Sequence, residues 1–293
     1  MRKPDWLKTR LAGGAEFERV NARLEKLGLR TVCTQARCPN LGECWNSGTA
    51  TFLILGDTCT RHCRFCSVAT GNPRGVVDES EPVRVADAVA QLGLKYAVIT
   101  SVDRDDLADL GSGIFASTVR AVKARGVAVE VLTPDFGGRE ELIGAVVAAG
   151  PDVFAHNIET VERLSPSVRD PRASYRRSLA VLSTVKRLAP AMVTKSGLML
   201  GLGETDDEVV SAFADLHAAG CDVVTVGQYL QPARRCLPVE RYVSPGEFER
   251  WETRAIEMGF ARAFCGPLVR SSYRAAEVAK AGRGAGDEGG RGA

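Results

Sequence analysis

Short runs of β-branched and apolar residues recur along the chain, at Thr51–Leu55, Tyr96–Ser101, Val127–Leu132, Val153–Asn157, Val193–Leu200 and Val223–Gly227. Between them the apolar positions repeat at i, i+4 and i+7, as in Val85/Val89/Leu92, Phe115/Val119/Val122 and Val209/Phe213/Leu216. The first pattern reads as buried strands and the second as helices packed by one face. Thr205-Asp206-Asp207-Glu208 precedes the last of these helices and reads as a capping box. Six β–α repeats in series predict an α/β fold with parallel strands and right-handed crossovers. Two architectures satisfy this. One is a partial (β/α)6 TIM-like barrel, with six units rather than eight; the other is a flat doubly wound sheet. In the barrel, the loops that follow the strands gather on one rim and carry the chemistry.

The 293 residues suit one such barrel with extensions. A formal net charge of +2 implies no strong polyelectrolyte partner, and nothing supports nucleic-acid binding. No apolar run is long enough to cross a bilayer, and the start, MRKPDWLKTR, lacks the apolar core of a secretory signal. The chain reads as cytoplasmic, with no membrane role. After Lys280 the sequence is Gly-rich and nearly free of large apolar residues, which predicts a disordered tail over 281–293.

Six of the nine cysteines crowd between Cys33 and Cys66, while Cys221, Cys236 and Cys265 are scattered. Crowding of this kind in a cytosolic chain points to metal ligands rather than disulfides. Directly after the first strand, Cys59, Cys63 and Cys66 stand in C-x3-C-x2-C spacing. Three thiolates on one short loop hold three irons of a cubic iron–sulfur cluster and leave the fourth open. A zinc knuckle is the alternative, but zinc sites usually take four protein ligands.

With Phe65 as the aromatic before the last cysteine, this loop resembles the signature of radical S-adenosylmethionine (SAM) enzymes. The resemblance implies a [4Fe-4S] cluster on Cys59, Cys63 and Cys66. Its open iron is chelated by the amino and carboxylate groups of SAM, and an electron from the cluster cleaves the sulfonium to give a 5′-deoxyadenosyl radical. Upstream, Cys33, Cys38 and Cys44 in C-x4-C-x5-C spacing, with Cys38-Pro39-Asn40 and Glu43-Cys44-Trp45, resemble the auxiliary-cluster motif of lipoyl synthases. Arg270-Ser271-Ser272-Tyr273 is similar to the R-S-S-Y motif of that family. This similarity implies a second [4Fe-4S] cluster completed by the Ser272 oxygen, with Ser271 as the other choice. A hard oxygen on iron is more easily displaced than a thiolate, which suits a corner that must open. The likeness runs from about Lys3 to Tyr273, through Ile99–Asp106, His156–Thr160, Lys195–Thr205, Gly227–Pro232 and Leu237–Tyr242. The chain departs from the family at His62, where Arg is commoner, at Cys236, where His is commoner, and in the run Ala108–Gly113.

The family pattern also implies a SAM pocket on the rim. Gly197-x-Met199-x-Gly201-x-x-Glu204 resembles the glycine-rich pattern that lets backbone approach the adenosine. Ser101 and Asp103 take the position of contacts to the amino group, Asn157 and Glu159 that of contacts to the ribose, and Gln228 and Tyr229 flank the adenine. Polar residues at strand ends are also common caps and turn formers, which is the rival account of each. His217 reads as a surface or packing residue and Cys221 as a small buried hydrophobe. His156 either lines the pocket or satisfies a backbone carbonyl.

The implied organisation is an N-terminal extension (1–50) carrying the auxiliary cysteines, a radical SAM barrel (51–265), a C-terminal segment (266–280) with R-S-S-Y, and the tail. The implied reaction inserts two sulfur atoms, at C6 and C8 of a protein-bound N6-octanoyl-lysine, with the auxiliary cluster as sulfur donor. Those carbons are unactivated, so acid–base catalysis is the wrong tool and a radical is required. The implied partners are an octanoylated lipoyl carrier domain of a 2-oxoacid dehydrogenase complex or the glycine cleavage H protein, an electron donor such as ferredoxin or flavodoxin, and an iron–sulfur carrier for cluster repair. Methylthiotransferases carry two clusters but usually add a basic RNA-binding domain. Biotin-synthase-like enzymes lack the pairing of C-x4-C-x5-C with R-S-S-Y. An electron-transfer protein would not need a SAM rim.

Overall fold

The computed structural model describes residues 2–7, 22, 24, 26, 28–31, 40, 49–273 and 275–281. Its centre is an eight-stranded sheet in the order β1-β2-β5-β6-β7-β8-β9-β10. These strands are β1 Arg30–Thr31, β2 Thr49–Ile54, β5 Tyr96–Ser101, β6 Ala128–Leu132, β7 Val153–Ala155, β8 Val193–Leu200, β9 Val223–Gln228 and β10 Arg262–Gly266. β3 Thr58–Cys59 and β4 Ala69–Thr70 form a separate small ladder at the two ends of the cysteine loop. β1 pairs antiparallel with β2, and every other pairing in the large sheet is parallel. The six strands read from the sequence are all present. A seventh parallel strand, β10, extends the sheet beyond β9 with Arg262 opposite Val223 and Gly266 opposite Gly227. Its sequence, Arg-Ala-Phe-Cys-Gly, is short, exposed at its first residue and bounded by Pro267, so its hydrophobic signal is weak.

Alternation along each strand separates two faces. Ala97, Ile99, Val129, Val131 and Phe154 turn outward and pack with Val85, Val89, Phe115, Val119, Val122, Ile143 and Val146 of the covering helices. Leu198, Leu200, Val224 and Val226 do the same with Val209, Phe213, Leu216 and Phe248. The helix Asp206–Ala218 begins at the expected capping box, with Thr205 and Glu208 bonding each other's backbone N–H. Pro245–Glu257 starts on a second one, made by Ser244 and Glu247. Residues of the other parity, Tyr96, Val98, Val153, Val223 and Phe264, face inward and share a cluster with Ala275 and Val278 of the C-terminal helix Ala275–Ala281. The molecule is thus an α/β fold with helices on the convex side of a partial TIM-like barrel. No helix among the described residues is long and apolar enough to cross a membrane.

A buried ion pair joins β6 and β8 inside the barrel. Lys195 Nζ lies 2.9 Å from Glu130 Oε1, with both side chains 1% exposed, and the Tyr96 hydroxyl donates to Glu130 Oε2 at 3.2 Å. Burial and the adjacent carboxylate keep the Tyr96 phenol protonated. Removing one partner leaves the other charged and desolvated. Lys195→Met is therefore expected to cost about 3–5 kcal/mol in urea unfolding. Lys195→Met combined with Glu130→Leu should recover most of that loss.

Candidate active site

The cysteine loop leaves β2 and is fixed on several sides at the rim. The Thr60 N–H donates to Asp103 O, the Arg64 N–H to Val168 O and the Leu237 N–H to Arg64 O. The His62 N–H donates to Asp170 Oδ2 at 2.7 Å. Arg61, between the first two cysteines, is 5% exposed and is the electrostatic hub of the loop. Its guanidinium lies 3.3 Å from Asp103, 2.9 Å from Asp105 and 2.8 Å from Asp135. Asp103 and Asp105 follow β5 and Asp135 follows β6, so one cation ties the loop to two strand ends. Asp135 is held down to about 2; burial opposes this, and hydrogen bonds from Arg61 outweigh it.

Each loop sulfur accepts one backbone N–H. Arg61 N donates to Cys59 Sγ at 3.4 Å, Asp170 N to Cys63 Sγ at 3.4 Å and Val68 N to Cys66 Sγ at 3.5 Å. Such bonds favour the thiolate that a metal ligand must become. Burial acts against them, lifting Cys59 to about 11 and Cys63 to about 12 and raising Cys66, so metal binding must displace protons. Among the described residues no three His, Cys, Asp or Glu side chains gather on a single-ion site. Phe65 is partly buried against the core formed by β8, β9 and their helices.

The rim facing the loop fits a cationic, polar cofactor. Ser101 Oγ and Asn157 Oδ1 are buried without a hydrogen-bond partner. At Gly197 an added Cβ would stand 2.8 Å from Thr225 Oγ1 and 3.0 Å from Asn157 Oδ1, so only glycine lets those two side chains sit this close to β8. Glu159 has φ 68, uncommon for a non-glycine residue. It is held there by bonds from its N–H to Gly197 O and from the Met199 N–H to its own carbonyl. Its carboxyl is pushed up, chiefly by burial, with Arg169 opposing. Asp103 is pushed up to about 6 by burial, against Arg61. Two carboxylates beside the three thiols, with two buried unpartnered oxygens at the same strand ends, suit an ammonium and a sulfonium together with ribose hydroxyls.

Other rim residues turn their polar atoms to the protein's own backbone. Glu204 accepts from Gly201 N at 2.6 Å and Leu202 N at 2.9 Å. Gln228 donates to the carbonyls of Leu200, Tyr229 and Arg241 and accepts from Val243 N. The Tyr229 hydroxyl donates to Leu237 O at 2.7 Å. These side chains brace the turns at the ends of β8 and β9. His217 is exposed, edge-on to Phe260, and Cys221 is buried just before β9.

His156 satisfies a backbone carbonyl. Nδ1 lies 2.8 Å from Thr133 O and Nε2 lies 2.9 Å from Ser178 Oγ, which also accepts from Arg169. Nδ1 therefore carries the proton, and the Ser178 hydroxyl donates to Nε2. Burial, then Arg169, depresses His156 to about 4. The unfolded chain binds this proton nearer 6.5, so the contribution is complete above that pH and is lost as pH falls toward 4. Over that window His156 should account for about 3 kcal/mol of lost stability. A His156→Gln variant should show a correspondingly flatter dependence in urea titrations from pH 7 to 4.

Arg61, Asp105, Asp135, Arg169 and Asp170 were not singled out from the sequence. The signals were the charged residue inside the cysteine loop and the Asp-x-Asp after β5. Cys33, Cys38 and Cys44 lie outside the described residues. Asn40, between Cys38 and Cys44, is described and buried, and its Nδ2 donates to Leu268 O at 2.6 Å. Ser271 and Ser272 lie in the turn that follows, ahead of the C-terminal helix, and Arg270 Nη1 reaches Val269 O at 2.7 Å and Gln228 O at 3.5 Å.

Comparison with known proteins places this geometry in a family. The radical SAM superfamily matches residues 53–216, and the N-terminal domain of lipoyl synthase matches residues 1–38. A lipoyl synthase of Pyrobaculum calidifontis is 57% identical over 282 residues, 95% of this chain and 96% of that protein. The lipoyl synthase of Thermus thermophilus is 55% identical over 278 residues, 94% of this chain and 86% of the relative. In fold the chain is similar to methylornithine synthase (TM-score 0.55, 13% identity, covering 83% of this chain and 74% of the other). It is also similar to the FeFe-hydrogenase maturase of Carboxydothermus hydrogenoformans (TM-score 0.58, 13% identity, 90% and 78%). The chain belongs to the lipoyl synthase family of radical SAM enzymes.

Proposed function

We propose that the protein inserts two sulfur atoms, at C6 and C8 of an octanoyl chain carried on a lysine of a lipoyl domain. In this reading Cys59, Cys63 and Cys66 hold one [4Fe-4S] cluster, and Cys33, Cys38, Cys44 and Ser272 hold a second. The chemistry comes from the bound groups: a carbon radical from the first cluster with SAM, and sulfur from the second cluster. The chain's own residues bind, orient and exclude water. Asp103 and Glu159 receive the cationic parts of SAM, Ser101 and Asn157 supply their unpartnered oxygens, and Gly197 lets Asn157 sit close against β8. Glu204, Gln228 and Tyr229 hold the turns at the ends of β8 and β9. Arg61 fixes the loop, so that substrate, radical and cluster meet in contact.

The observation that carries the two-cluster reading is the bond from Asn40 to Leu268. It joins the Cys38–Cys44 stretch to the strand end from which Arg270–Tyr273 departs, across 228 residues of sequence. The test is anaerobic reconstitution, then mass spectrometry of an octanoyl-lysine peptide incubated with SAM and reductant. A product carrying two sulfurs, with 5′-deoxyadenosine released, is expected. Release of 5′-deoxyadenosine with no sulfur on the peptide would overturn the proposed substrate.

A further inference from the structure

We propose that the outer face of the cysteine loop, carrying Arg64, Arg234 and Arg235, is the docking surface for an acidic one-electron carrier protein. The inference rests on the radical SAM reading of the loop and adds the place where its electron arrives. All three arginines are exposed, and among the described residues no carboxylate pairs with them. On the helical layer the exposed arginines Arg139, Arg163, Arg176 and Arg187 pair with Glu141, Glu208, Glu162 and Glu140, while Arg120 and Arg250 stand apart from one another without a carboxylate among the described residues. The carboxylates of the cysteine loop's own surroundings turn inward. Asp103, Asp105 and Asp135 face Arg61, and Asp170 faces Arg172 at 2.9 Å. Glu240 is exposed but belongs to the Gly201 turn, to whose carbonyl its N–H donates. The loop is thus acidic toward the pocket and basic toward solvent, on a chain whose overall formal charge is only +2.

The basic face is also wired to the ligands. Arg64 lies between Cys63 and Cys66, and its guanidinium donates to Ser167 O at 3.0 Å. Arg235 Nη2 donates to the carbonyl of Ser67, the residue after Cys66, at 2.6 Å. The Cys236 thiol donates to Cys66 O at 3.3 Å. A carrier seated on these arginines reaches the sulfurs through one layer of backbone. At docking the carrier loses one electron and the oxidised cluster gains one, and no atom or proton needs to move. A charged face of this kind raises the association rate of an oppositely charged partner and makes it depend on salt.

The test compares two reductants on the cluster-loaded protein, with R234E/R235E and, separately, R64Q. Stopped-flow bleaching of the cluster is followed with a reduced acidic flavodoxin and with reduced methyl viologen, a small cation. Binding of oxidised flavodoxin is titrated at low and high salt. The double variant should lose about tenfold or more in the flavodoxin association rate, with a shallower salt dependence. R64Q should lose less, and in every variant the fall in flavodoxin rate, normalised to iron content, should exceed any fall in viologen bleaching. Unchanged flavodoxin binding and bleaching would overturn the docking surface. So would normal flavodoxin reduction accompanied by a loss of product from an octanoylated carrier domain with viologen as reductant, which would assign the face to the substrate protein. If viologen bleaches no cluster and releases no 5′-deoxyadenosine even in the unsubstituted protein, the radical SAM reading beneath the proposal falls instead.

Discussion

Cys63→Ala is expected to release no detectable 5′-deoxyadenosine from SAM, whereas Cys33→Ala should still release it and yield no sulfur-bearing product. The asymmetry follows from the division of labour between the two cysteine sets. Cys63 Sγ sits in the loop beside the N–H of Asp170, next to Asp103 and Glu159, and an alanine there leaves two thiols for a cube that needs three. Cys33 belongs to the other triad, so its loss should leave radical generation intact. Anaerobic reconstitution with iron analysis, nucleoside chromatography and peptide mass spectrometry on both variants decides the matter. A lipoyl product from Cys33→Ala would exclude the second cluster as sulfur donor.

The second large effect is expected at Arg61. Arg61→Met keeps most of the aliphatic stem but leaves Asp103, Asp105 and the fully buried Asp135 without their shared cation. Breaking a buried charge network from one side costs about 3–5 kcal/mol. The same change cuts the loop's tie to the end of β6 and leaves Thr60 as its hold on the end of β5, so iron incorporation at Cys59, Cys63 and Cys66 should fall together with the urea midpoint. Arg61→Lys should rescue charge but not the fork that spans Asp105 and Asp135, giving an intermediate result in both measurements. Full iron loading in Arg61→Met would show that the loop holds its shape without the hub.

Much of the fold was legible because its strands are buried on both faces and its helices on one. The periodicities of Tyr96–Ser101 or of Val209/Phe213/Leu216 therefore report their surroundings directly. β10 was not legible, since an edge strand with an exposed Arg262 carries half the hydrophobic signal of a central one. The cysteine loop declared itself by ligand spacing. Its supports did not, because Arg61 with Asp103, Asp105 and Asp135 is a contact made between three separate loops. Gln228 and Glu204, read from the sequence as cofactor contacts, are strand-end polar residues that bond backbone carbonyls and amides. No local pattern separates the two uses, because both need a polar side chain after a strand.

The crossing of Val269 over Gly227 bears on how the enzyme is made. A Cβ at Gly227 would come within 2.2 Å of the Val269 carbonyl, so the C-terminal segment finds its seat only against a finished β9. On the ribosome, Cys33, Cys38 and Cys44 emerge well before the Arg270–Tyr273 stretch. In the proposed assignment the auxiliary site therefore acquires its fourth ligand only once the barrel has closed ranks behind it. Maturation would then have a built-in order: cysteines early, serine late, with a Gly227→Ala chain halted at an open, three-thiol stage that an iron–sulfur carrier can still reach.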